Sequence, residues 1–107
     1  MSLSERQLTL VQEAADILMG ALALTRDEAI QLIGASLHHE LAKREISIEA
    51  LDIRPRAERA SFLRGVVQNL EQHLRAQKQW PHNQIVSAIE AFMKALHESW
   101  IMEDTAD

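Results

Sequence analysis

The sequence predicts an all-α fold, a small bundle of four main amphipathic helices with one short connecting helical turn. Three observations predict it. Only three glycines and two prolines interrupt 107 residues, β-branched residues are few, and apolar residues recur at intervals of three and four rather than two.

The first helix starts at Ser2 or Ser4, each able to cap it, with Glu5 or Gln7 three residues on as the reciprocal partner. Leu8, Val11, Ala15, Leu18 and Leu22 form its inward stripe, and Gly20 is expected to loosen its end. "TRDE", residues 25–28, is a capping box that places acids in the first turn of a second helix, where the helix dipole favours them. That helix runs to about Glu45 with Ala29, Ile30, Ile33, Leu37 and Leu41 turned inward. "ISIEALDIRP" interrupts the pattern: Ser47 caps a short turn, and Pro55 opposes helical geometry at Arg54 while suiting the first turn of a new helix. The third helix, from Pro55 to about Gln79, carries Leu63, Val66, Val67, Leu70 and Leu74. Pro81 starts the fourth, whose stripe Ile85, Ile89, Phe92, Leu96 and Trp100 lies opposite Glu90, Lys94 and Glu98. One helical domain over residues 1–102 and a frayed acidic tail over 103–107 complete the organisation.

Composition narrows the function classes. With 47% hydrophobic and 25% charged residues the chain matches ordinary globular proteins. The absence of cysteine excludes disulfides, thiolate metal sites and cysteine nucleophiles. The least polar run, residues 14–24, is too short for a membrane span of about 20 residues and contains Asp16. No basic segment precedes it as in a signal peptide, so a cytoplasmic protein with no membrane partner is expected. The net charge of −5 opposes nonspecific nucleic-acid affinity. Against that trend, residues 54–78 hold six basic and two acidic side chains.

The stretch most like a site is "GASLHHELAKRE", residues 34–45. Successive helical residues point about 100° apart, so His38, His39 and Glu40 do not converge on one ion. Helical metal pairs need ligands three or four apart; His38 has Gly34 and Ala42 at four, His39 has Ala35 and Lys43. Two solvated histidines on an outer face are expected, with no metal and no cofactor. A site drawing on His73, His82 or His97 from another helix or chain is the alternative. No nucleophile elbow, phosphate loop, Rossmann glycines or zincin motif is present, so no catalytic residues are assigned and an enzyme is not expected.

Arg54, Arg56 and Arg59 crowd the start of the third helix, where the dipole disfavours cations. Positions 56 and 59 extend the stripe 63, 66, 70, 74 backward. Three readings are open: the stems line the core edge while the heads pair with Glu40, Glu45, Glu49 or Asp52, the three guanidinium groups with the helix N–H groups form an anion-binding spot, or they contact a DNA backbone. A helix-turn-helix does not fit, because the second helix is long and "SIEALDI" is too apolar and acidic to read DNA.

The expected function is protein–protein interaction, as an adaptor, regulator or chaperone-like protein working as a homodimer. Its interface is expected on Ile85, Ile89, Phe92, Leu96 and Trp100, with Ala88, Ala95 and Ser99 admitting a neighbouring helix. The rival for that stripe is the chain's own core. The alternative function is a nucleic-acid-binding regulator using the basic stretch 54–78.

Overall fold

The computed structural model describes residues 5–101 and contains four α-helices: α1 (Glu5–Leu22), α2 (Arg26–Arg44), α3 (Arg56–Gln77) and α4 (His82–Leu96). A 3-10 turn, Ile48–Ile53, joins α2 to α3, and a π-helical turn, His97–Ile101, continues α4. No strand occurs among the described residues. The expected caps at Ser2 or Ser4 and the tail 103–107 lie outside them. Each helix packs on the next in sequence and α4 closes on α1, so the four form a ring around one core. The chain bends by 120° between α1 and α2.

The second helix starts as its sequence dictates. Thr25 accepts from the Glu28 backbone N–H, and the Glu28 carboxylate accepts from that of Thr25. The Thr25 hydroxyl also donates to that carboxylate, and the backbone and hydroxyl bonds together hold the Glu28 carboxyl below the usual glutamate range, the backbone bond contributing most. The helix ends use a different device from the one glycine would supply. Ala23, Glu45 and Lys78 adopt left-handed φ values of 56–57°, and no glycine has positive φ. At Glu45 the geometry is held by N–H bonds from Glu45 to Ala42 and from Ile46 to Leu41, while Ile46 packs on the core. At α1, Gly20 lies inside the helix rather than ending it, and the last carbonyls are capped from a distance. Trp80 Nε1 donates to the Leu22 carbonyl and Gln84 Nε2 to that of Ala21, each at 3.1 Å.

Two stripes are rotated from their expected positions. In α1 Leu8 faces solvent and Gln7 takes the inward place, its amide donating to the Ile48 carbonyl at 2.8 Å. In α2 Ile30 is exposed and Leu37 half-buried, while Ser36 and Glu40 are buried beside Ala29, Ile33 and Leu41. The α3 stripe is buried as expected, and Phe62 joins it.

The α4 stripe requires a correction. Ile85, Ile89, Phe92, Leu96 and Trp100 are each 9% exposed or less inside this single chain. They face α1 and α3, so they form the core rather than a seam with a second copy. The small residues beside them serve the same packing: Ala88 is fully buried, and Ser99 donates to Glu13 of α1 at 3.2 Å.

Candidate functional site

His38 and His39 are exposed on the outer face of α2. Among the described residues no group of three or more His, Asp or Glu side chains is placed to hold a metal ion.

The three arginines go to three different environments. Arg54 pairs with Glu58 one turn on, at 3.4 Å, and Arg56 is exposed. Arg59 is 4% exposed; its Nη1 donates to the Arg54 carbonyl, and its guanidinium lies over the Trp100 indole at 6.0 Å. A solvent anion therefore has no approach to Arg59, and the shared anion spot is corrected to an internal anchor plus a surface ion pair. Further along the basic stretch, Arg75 is held by Glu71 at 2.7 Å.

Glu40, one of the four carboxylates expected to pair with those arginines, has another role. Glu40, 2% exposed, receives Arg44 Nε at 2.6 Å and Asn69 Nδ2 at 3.2 Å. The same Asn69 amide donates to the Ser36 carbonyl, and Arg44 Nη2 donates to the carbonyl and hydroxyl of Ser61. Gly65 of α3 makes room for the group, because a Cβ there would overlap the Glu40 carboxylate. Arg44 is one-third exposed, so the pair is a charge anchored inside and vented at one end. The sequence carries a signal for it: 29, 33, 36, 40 continues α2's threes and fours through a glutamate, with arginine four residues later.

The outer face of α2 carries a long run of exposed positions without charge. Its exposed positions from 30 to 42 are Ile30, Gln31, Gly34, Ala35, His38, His39 and Ala42. That surface, about 18 Å long at the helical rise, carries no carboxylate, ammonium or guanidinium group. The exposed residues of α3 include Arg56, Glu58 and Arg64, and those of α4 include Glu90 and Lys94.

A cavity of about 60 Å³ lies between all four helices, the 3-10 turn and the π-helical turn. Its walls include Ile33, Ile48, Phe62, Val66, Phe92 and Trp100, and Gln7 is the one polar side chain among the fourteen lining residues. Phe62 and Trp100 meet edge to face, with centroids 6.2 Å apart and planes at 83°. Leu10, Val11 and Leu37 are the half-buried members of the lining and place its mouth between α1 and α2. A void of this size corresponds to about 1.4 kcal/mol of lost packing, at about 24 cal/mol per Å³.

No single helix among the described residues is long and apolar enough to cross a membrane. No family model, no curated protein and no solved structure matches this chain.

Proposed function

We propose that the protein works by protein–protein contact, as a homodimer built on the outer face of α2, in an adaptor, regulatory or chaperone-like role. The observation that carries this reading is the charge-free exposed face of that helix. Interface centres are depleted in charged residues, and a solvated helix normally spreads charge over its outer surface. Gly34 sits at the middle of the face with open space where a Cβ would stand, so a second helix can approach its backbone closely. A second copy is the fitting occupant because one face serves both partners in a two-fold contact. The face of a single helix is small beside the roughly 800 Å² per partner of a stable complex, so the dimer is a transient one. The nucleic-acid reading loses support, since Arg54, Arg59 and Arg75 of the basic stretch are engaged within the chain.

Light scattering across the micromolar range tests the reading. A monomer–dimer equilibrium is expected in the wild type. Gly34→Arg, at an exposed position, should give a monomer of unchanged helicity by circular dichroism. A wild type that stays monomeric throughout, or a dimer indifferent to Gly34→Arg, overturns it.

A further inference from the structure

We infer that the cavity between the helices is a binding site for the end of an alkyl chain, admitted between α1 and α2. Three features define the ligand. The wall is carbon apart from Gln7, whose amide donates to the Ile48 carbonyl, and the one indole N–H of Trp100; a polar group buried there would lose hydrogen bonds that this wall does not replace. A water molecule needs two to four polar partners, which this wall does not offer. The volume of about 60 Å³ is well below the roughly 150 Å³ that holds a benzene ring in an engineered core cavity. A slim chain end fits where a ring does not.

The third feature is the mouth. Leu10, Val11 and Leu37 are apolar as well as half-buried, so the part of the ligand that passes them is also methylene. The ligand is an amphiphile whose terminal carbons lie among the aromatic side chains and whose polar end stays outside. Phe62 and Trp100 brace each other edge to face, and Arg44 and Arg59 stand over their rings at 5.9 and 6.0 Å. The deep wall is thereby held in place, and the ligand does not have to order it.

The site has a built-in reporter. The chain has two tryptophans, Trp80 and Trp100, so in a Trp80→Phe background the fluorescence reports the cavity wall alone. The probes are xenon and a series of straight-chain 1-alkanols. Xenon NMR should show one saturable site per chain. Alkanol affinity should rise about fourfold per methylene, the equivalent of about 0.8 kcal/mol per buried methylene, until the chain reaches the mouth and the increment falls. Ala14→Val adds two methyl carbons to a buried wall position and should lower alkanol affinity at least tenfold while the protein remains folded; Val66→Ile is the second filling variant. Phosphatidylcholine vesicles distinguish the source of the chain: a Trp100 response to alkanols alone assigns a free amphiphile, and a response to both assigns a chain that lipid also supplies. Absence of the xenon site in the wild type, or alkanol binding unchanged in both folded filling variants, overturns the inference.

Discussion

Between α2 and α3, Glu40 lies so close to Gly65 that one added methyl group would not fit; around Phe62 and Trp100, the side chains leave about 60 Å³ of space. The two regions touch, since Arg44 pairs with Glu40 and lies over the Phe62 ring. One is polar, full and geometrically demanding, and the other is apolar, under-packed and tolerant. The difference shows how a small bundle divides its interior. A buried carboxylate with fixed partners admits one register of α2 on α3, because sliding by a turn would strand the charge. A patch held by dispersion alone penalises rearrangement weakly, so it is where space for a guest costs least.

The comparison is broken most severely by Arg44→Ala. It takes the ion partner from a carboxylate that is 2% exposed with Arg44 in place and leaves the Asn69 amide to bond it; because the site is vented where Arg44 stands, the cost in urea unfolding should be about 3 kcal/mol, the lower end of the range for half of a buried ion pair. Gly65→Ala tests the tightness of the seam. In the wild type it should destabilise by about 1–3 kcal/mol through overpacking, whereas in a Glu40→Ala background it should be neutral or gain up to about 1 kcal/mol from better helix propensity. A double-mutant cycle measures that sign change, and additivity would refute the steric account.

Filling the other region should act in the opposite direction. Ala14→Val should raise stability by up to about 1 kcal/mol, bounded by the 1.4 kcal/mol attached to the void and reduced by the helix cost of a β-branched residue. Loss of stability there would show the cavity to be less tolerant than the comparison requires. The smallest effect belongs to an exposed control for Glu40, the carboxylate of Glu28. Thr25→Ala should cost about 1 kcal/mol by removing the cap. Because the Glu28 pKa is lowered on folding, its contribution is fully present above the ordinary glutamate range and is lost as pH falls through the lowered value. Thr25→Ala removes the hydroxyl bond and keeps the larger backbone one, so it should flatten the acid limb of a stability–pH profile only in part between those two values.

The elements of the fold were legible because periodicity and caps act locally. "TRDE" specifies its own cap, and Leu63, Val66, Val67, Leu70 and Leu74 need only an apolar partner to define a face. The site was less legible because it depends on what stands opposite. Ile30 and Leu37 read as core until Ser36 and Glu40 find Asn69 and Gly65 across the α2–α3 seam, which rotates the helix by part of a turn. The α4 stripe is legible as a packing face, but the choice between its own core and a second chain is not, since spacing does not say whose helices will cover it. Arg59 continued an apolar series and was buried, as that series implied, but its partner proved to be a backbone carbonyl and an indole. The cavity left no trace in the sequence, because it is a sum of distances between six elements.

The closing of α4 on α1 also bears on how the chain is made. During synthesis α1 leaves the ribosome ahead of the other three helices, and α2 can fold back on it at once. The side of α1 that meets α4, however, has no cover until residue 96 is added, 74 residues after α1 ends at Leu22. At about 5–20 residues per second, that is a delay of about 4–15 s. Throughout it, the last carbonyls of α1 lack the Trp80 and Gln84 side chains that cap them in the finished fold. Made before α2, α3 and α4, α1 is thus sealed only with the last of them, and a nascent chain of this protein presents an apolar helix face to chaperones for seconds before it can hide it.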